Sequence, residues 1–188
     1  MRLEAYSTMV KKIIAALENA KLDYAFTGAL AVSFYGAPRT TTDVDVILAI
    51  SDESDFETKI LSAMKQAGFR VDKRRIDAAL TSGYEIATLR QEKSPYTVDL
   101  IMSVNKFEKK TGKIYDTVTF FQTAECLIAA KLRMIKATLV PERSIKDKED
   151  IMAILAFTRV DLKSVKKQAQ NDKTLDIFEA LINDQSLV

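Results

Sequence analysis

The 188-residue sequence carries 28 Lys and Arg against 26 Asp and Glu, a net charge of +2, with 47% apolar and 29% charged residues. That balance suits an ordinary globular chain, long enough for one domain or a compact core with a helical extension, and it excludes collagen-like, low-complexity and disulfide-rich classes. Histidine is absent and Cys126 is the one cysteine, so histidine-based catalysis, histidine metal ligation and an intrachain disulfide are excluded; any chemistry falls to carboxylates, lysine, arginine, tyrosine, hydroxyls or a carboxylate-bound metal.

In chain order, the spacing of Leu3, Val10, Ile13, Ile14 and Leu17 predicts a helix over Leu3–Asn19. A short strand, Tyr24–Thr27, runs into Gly28, and Ala29–Tyr35 reads as a short helix stopped by Gly36. Val44–Ile50, rich in β-branched residues, reads as a buried strand. Ser51 or Ser54 is a suitable cap for a helix running to about Ala67, with Gly68 as its stop. Strands are expected at Phe69–Asp72, Tyr84–Arg90 and Tyr96–Met102. After Gly112, the last glycine, the pattern changes to one more strand or extended segment at Ile114–Phe121 and helices at Thr123–Thr138, Ser144–Phe157, Leu162–Ala169 and Thr174–Asn183, with Pro141 separating the first two and Asp161 capping the third. The expected fold is α/β (α+β): a mixed sheet with helices on one side over residues 1–120, and a helical C-terminal region, 121–188, packed on it.

No stretch approaches the roughly 18 apolar residues of a membrane span, and MRLEAYSTMVKK lacks the pattern of a signal peptide. The expectation is a cytoplasmic protein without a membrane partner. Charge is unevenly spread: Asp43–Glu57 holds six acids and no base, and Lys131–Lys173 has an excess of five positive charges. Solvated helix faces account for such runs, while metal ions and a polyanion such as nucleic acid are the partners they would suit.

The stretch FTGALAVSFYGAPRTTTDVDVIL, Phe26–Leu48, carries the chemistry. Gly28 stands where a strand ends and a helix begins, where free N–H groups and the helix dipole favour an anion. Asp43 and Asp45, two apart on a strand, point to one face. Paired carboxylates are costly without a cation between them, and oxygen donors of this kind suit Mg²⁺, which takes its remaining ligands from water and phosphate. Asp99, between Val98 and Leu100 on another expected strand, completes a three-carboxylate site if its strand neighbours that of Asp45; such a site can hold two metals about 4 Å apart. Arg39, ahead of the acids, has the planar fork of a phosphate clamp.

Gly28-Ala29, a spacer, Asp43-Val44-Asp45 and a later strand acid, Asp99, resemble the pattern of the DNA polymerase β-type nucleotidyltransferase superfamily. The resemblance implies transfer of a nucleoside monophosphate from an NTP with two Mg²⁺ ions (or Mn²⁺) and release of pyrophosphate. Asp43, Asp45 and Asp99 would ligate metal, Asp99 alternatively acting as base, and Gly28 and Ala29 would admit the triphosphate. Residue 29 is alanine where the pattern has glycine or serine, which removes a hydroxyl and leaves the backbone N–H.

In the C-terminal half, Leu127, Ile128, Met134 and Ile135 make one apolar helix face with Lys131 at its centre, where a lysine must snorkel, pair with an acid or meet a ligand. Asp147 shares a face with Ile151, Ile154 and Leu155, and Ser144-x-x-Asp147 also reads as a capping box. Lys131 with Arg143, Lys146, Asp147 and Asp150 is similar to the K…R-x-x-K-D-x-x-D pattern of abortive-infection nucleotidyltransferase toxins of type IV toxin–antitoxin systems. That resemblance, spanning about residues 24–157, implies a cognate antitoxin as partner, Lys131 as a catalytic and nucleotide-binding group beside Arg39 and Asp147, and an acceptor that is RNA, protein or a small molecule. The other class left open is a nucleotide- or partner-binding module of the same fold without catalysis.

Overall fold

A computed structural model describes residues 2–36, 38–39, 41–50, 56–81, 86–91, 94–104, 106–138 and 141–183. The elements are α1 (Arg2–Asn19), β1 (Tyr24–Phe26), α2 (Gly28–Phe34), β2 (Asp43–Ala49), α3 (Phe56–Gln66), β3 (Phe69–Arg70), α4 (Lys73–Thr81), β4 (Ile86–Gln91), β5 (Thr97–Ser103), β6 (Lys109–Ile114), β7 (Thr117–Gln122), α5 (Ala124–Ala137), α6 (Pro141–Phe157), α7 (Leu162–Asn171) and α8 (Leu175–Asn183). The strands form one mixed sheet in the order β3-β4-β5-β2-β1-β7-β6, the α/β architecture expected. Among the described residues, no helix is long and apolar enough to cross a membrane.

The sheet is organised about β2 and β5, which run parallel and pair residue for residue from Asp43↔Thr97 to Ala49↔Ser103. Period-two alternation sends Val44, Val46 and Leu48, with Val98, Leu100 and Met102, into the core, all fully buried. The same alternation turns Asp43, Asp45, Thr97 and Asp99 to the other face. Val10, Ile13, Ile14 and Leu17 of α1 are buried in that core as their spacing predicts; the side chain of Leu3 lies outside the described residues.

Several elements differ from expectation. Helix α4 was not expected, because its charged opening, Lys73-Arg74-Arg75, precedes only a short apolar spacing, Ile76, Ala79 and Leu80. The segment expected at Ile114–Phe121 is the second half of a hairpin: β6 precedes it, and the two pair antiparallel from Lys109↔Gln122 to Ile114↔Thr117. Strand β6, KKTGKI, is a largely exposed edge whose lysines suit it to solvent but give no strand signal. Pro141 does not separate two helices by lying between them; it opens α6, where a fixed φ fits the first turn. Ser144 is therefore inside α6, and the capping-box reading of Asp147 fails. Met134 is 58% exposed and does not belong to the apolar face of α5, whereas Leu127, Ile128 and Ile135 do. Asp161 caps α7 as expected, its carboxylate accepting from the N–H groups of Lys163 (2.9 Å) and Ser164 (3.3 Å). Ser51, Ser54, Tyr84 and the acids Asp52, Glu53 and Asp55 lie outside the described residues.

The β6–β7 turn is two residues long, Tyr115 (φ 48°) and Asp116 (φ 64°), both left-handed as a type I′ hairpin requires. Glycine adopts this conformation without steric cost. Asp116→Gly is expected to raise stability by about 0.5 kcal/mol, or about 1–2 °C in Tm, measured by circular dichroism melting.

Candidate active site

The register of β2 on β5 sets Asp45 directly opposite Asp99, on strands about 4.8 Å apart, with Asp43 two residues away on the same face. Asp43 is exposed, and its Oδ1 accepts from Thr97 Oγ1 at 2.6 Å and Thr42 Oγ1 at 3.4 Å. Asp99 is different: its Oδ1 is buried with no hydrogen-bond partner, a costly condition for a carboxylate oxygen. Burial first, then the charges of Asp99 and Asp43, push the Asp45 carboxyl up to about 6, against the opposing pull of Lys131 and Arg39. Each of these features is what a divalent cation would relieve. The donors are all oxygen, one is unpartnered, and the central acid gives up its proton at a higher pH than a free carboxyl does. Among the described residues, no group of three or more acids, cysteines or histidines is arranged so that it could hold a metal ion by itself.

Gly28 lies against this trio. It has φ +57°, and a Cβ there would overlap the Asp45 carboxylate, so the position needs glycine for conformation and for space. The N–H of Thr27 donates to the Asp45 carbonyl at 3.0 Å, tying the β1–α2 turn to β2. Ala29 follows in the first turn of α2, buried. Thr27 Oγ1 donates to Gln122 Oε1 (2.6 Å) and Tyr35 Oη to the Gln122 carbonyl (2.8 Å), fixing both ends of α2 to β7.

The helical half supplies cations. Lys131 on α5 is 7% exposed, and its Nζ donates to Asp147 Oδ1 (2.9 Å) and Asp150 Oδ2 (2.6 Å) of α6. Arg39, on the segment between α2 and β2, donates from Nη1 to the same Asp150 Oδ2. The lysine on the apolar face therefore meets acids, one of the outcomes its position allowed. Among the predicted residues, the structure joins Gly28, Asp43, Asp45 and Asp99 in one group and Arg39, Lys131 and Asp147 in a second, whose cations act on Asp45 through their field. Asp150, named in the sequence only as a neighbour in the motif, is the residue that unites Arg39 with Lys131. The side chain of Arg143 lies outside the described residues.

A cavity of about 770 Å³ adjoins the trio. Thr41 and Thr42 of its wall directly precede Asp43; Tyr96 directly precedes Thr97; and Arg39 lines it as well. The phenol of Tyr6, another wall residue, feels the charges of Asp45 and Asp43. Neither Tyr6 nor Tyr96 was given a role from sequence. The signal was adjacency for Tyr96, and for Tyr6 there was none, since α1 reaches the site only through the fold.

No protein-family model and no curated protein matches this sequence. Solved structures do. The antibiotic-resistance factor ANT(2'')-Ia superposes with a TM-score of 0.67 at 12% identity, covering 96% of both chains, and with 0.63 at 13% identity, over 90% of this chain and 98% of that one, in its complex with adenylyl-2''-tobramycin. An antigenic nucleotidyltransferase-like protein from Paracoccidioides brasiliensis gives 0.57 at 15% identity, covering 93% of this chain and 92% of its own. The lincomycin-bound lincosamide antibiotic adenylyltransferase LnuA gives 0.55 at 13% identity, covering 80% and 96%. The chain thus has the nucleotidyltransferase fold that its motifs resemble.

Because folding raises the Asp45 carboxyl from 3.8 to about 6, the folded state binds the extra proton between those values. The metal-free protein loses stability as pH rises through that window, and the penalty is complete above it. Asp45→Asn removes the charge. At pH 7.5 without divalent ions it is expected to melt above wild type by about 4–8 °C, on the order of 2 kcal/mol, with the gap closing towards pH 4. Equal melting temperatures at pH 7.5 would show that the acids are not in conflict.

Proposed function

We propose that this protein is a nucleotidyltransferase that moves a nucleoside monophosphate from an NTP to a hydroxyl acceptor. The observation that carries the reading is the Asp45–Asp99 register pair, with Asp43 beside it, Gly28 packed against it and one Asp99 oxygen unpartnered. The adenylyltransferases among the structures of similar fold support it.

Asp43, Asp45 and Asp99 would hold divalent metal, Mg²⁺ being the ion such oxygen donors suit, with Mn²⁺ as a substitute. When bound, the metal supplies charge neutralisation at the phosphates and a lower pKa for the acceptor hydroxyl. The chain's own residues do the rest. The Gly28 turn, bare of a side chain beside Asp45, brings the triphosphate close to the backbone. The acceptor oxygen forms a bond to the α-phosphorus, the bond from that phosphorus to the bridging oxygen breaks, and pyrophosphate leaves with the electron pair. Asp99, opposite Asp45 on the same sheet face, takes the hydroxyl proton. Lys131 and Arg39 offset the charge of the departing pyrophosphate, exchanging part of their contact with Asp147 and Asp150 for phosphate oxygens.

RNA, protein and small-molecule hydroxyls are all acceptors of this reaction. A toxin-like role with a cognate antitoxin rests on the Lys131–Asp150 motif alone. Ala29 favours one other reading, a nucleotide-binding module, because its methyl group gives phosphate no hydroxyl.

Isothermal titration of each NTP with Mg²⁺ is expected to show binding by wild type and at least a tenfold loss in Asp45→Asn, the variant expected to be the more stable. Gly28→Ala, which forces a side chain onto Asp45, is expected to lose binding as well. Incubation with α-labelled NTPs, Mg²⁺ and cell extract is expected to label an acceptor with wild type only. Binding without label on any acceptor would favour the module, and no metal-dependent binding would end the enzyme reading.

A further inference from the structure

The strand registers put the cavity and the carboxylates on opposite faces of the sheet. Phe121 of β7 pairs with Phe26 of β1, and Phe26 pairs with Val46 of β2, so these three share one face. Asp45, next to Val46, shows the other face together with Asp43 and Asp99. Tyr24, two residues before Phe26 and on its face, donates from Oη to Glu18 of α1 at 2.8 Å, which marks this as the face that α1 covers. Tyr96 belongs to it too, since its ring meets that of Tyr6 on α1. The cavity is walled by Tyr6 of α1, Leu30 and Phe34 of α2, and Tyr96 and Phe121 from the sheet. It is therefore a space over the α1 face, and the sheet stands between a molecule held there and the acid trio.

Its lining offers rigid apolar surface and one uncommitted charge. Phe34 and Tyr115 are half-buried. Phe34 stacks parallel on the fully buried Phe121 with centroids 4.1 Å apart, and Tyr115 meets the buried Tyr6 edge-on at 6.5 Å. Each ring is braced from behind, so its open surface stays in place. Gly112 of β6 confines Phe34 further, because a Cβ there would overlap its ring. The two lining cations differ in situation. Arg39 is committed to Asp150, whereas Lys113 is exposed and has no ion pair among the described residues. No acid occurs among the described lining residues, and the volume of about 770 Å³ is in the range of small-molecule sites. A cation entering here would give up hydration with no carboxylate on the described wall to replace it.

We propose that this cavity binds a small, flat, apolar molecule carrying one anionic group, and that this molecule is not a reactant of the carboxylate site. Its ring system lies on Phe34 and Tyr115, and its anionic group pairs with Lys113 at the exposed end of the cavity. The assignment is independent of the transferase reading and stands even if no nucleotide is transferred.

The chain has no tryptophan, so naphthalene dyes can be followed by fluorescence without competing emission. The probes are 8-anilinonaphthalene-1-sulfonate (anionic), N-phenyl-1-naphthylamine (the same rings without charge) and thioflavin T (flat and cationic). The sulfonate is expected to bind saturably at one equivalent, the amine more weakly, and thioflavin T not at all. Lys113→Glu, a change at an exposed side chain, is expected to weaken the sulfonate about fivefold and to leave the amine unaltered. In protein with ¹³C-labelled tyrosine rings, the sulfonate is expected to shift the NMR signals of Tyr6, Tyr96 and Tyr115, which line the cavity, and to leave that of Tyr24, held between Glu18 and Thr119, in place. Saturating α,β-methylene-ATP with Mg²⁺ is expected to leave the sulfonate bound. Absence of saturable binding, binding of several equivalents, or equal affinity of wild type and Lys113→Glu for the sulfonate overturns the proposal. So does its displacement by the ATP analogue, which would place both ligands in one site.

Discussion

Everything at the site depends on the register between two parallel strands. Sliding β5 by one residue against β2 would replace the Asp45–Asp99 pair with a pairing of Asp45 and a core residue, and would turn every side chain of the slipped strand to the wrong face. The fully buried run of Val44, Val46 and Leu48 beside Val98, Leu100 and Met102 makes that slip prohibitive. Apolar burial on one face therefore holds like charges together on the other. The electrostatic conflict among the acids, visible in the raised Asp45 carboxyl, is a small term beside the core that imposes it, since six buried aliphatic side chains contribute on the order of 10 kcal/mol.

Positive charge is nearby but is not spent on the trio. Arg39 and Lys131 both contact Asp150, and Lys131 also contacts Asp147, so two cations and two acids form a nearly neutral cluster. Its field lowers the Asp45 carboxyl only in part. A buried cluster of this kind contributes little net stability, because desolvation offsets attraction. Its effect is positional: the Lys131 ammonium and the Arg39 guanidinium are held together by one shared oxygen, although they arrive from elements more than ninety residues apart. A polyanion entering beside them competes for donors already gathered in one place.

The parts of this arrangement that were legible in sequence are those written in local pattern. A glycine between a strand and a helix, two acids at strand spacing and an acid within an apolar strand all express their geometry in a few consecutive residues, and Gly28, Asp43, Asp45 and Asp99 stand together as that geometry requires. Lys131 was legible as an anomaly, because a charge on an apolar stripe demands a partner. The parts that were not legible depend on distant contacts or on polar segments. Strand β6 is held by pairing with β7 rather than by its own lysine-rich sequence. Helix α4 has a short apolar spacing, Ile76, Ala79 and Leu80, behind three basic residues. Pro141 can end a helix or open one, and only the start of α6 decides between them. The joining of Arg39 to Asp150 spans 111 positions, and no spacing rule reaches so far.

The cavity and the carboxylates are built from adjacent residues with alternating tasks. Thr42 and Thr97 hold Asp43 by their hydroxyls, while Thr41 and Tyr96, one position away on the same two strand entrances, belong to the cavity, whose wall Thr42 also shares. Arg39 belongs to the cavity and to the Asp150 cluster at once. A ligand pressing on that wall therefore acts on the backbone that aims Asp43 and on the arginine whose charge reaches Asp45. The cavity wall and the carboxylates are joined by single peptide steps, Thr42 to Asp43 and Tyr96 to Thr97.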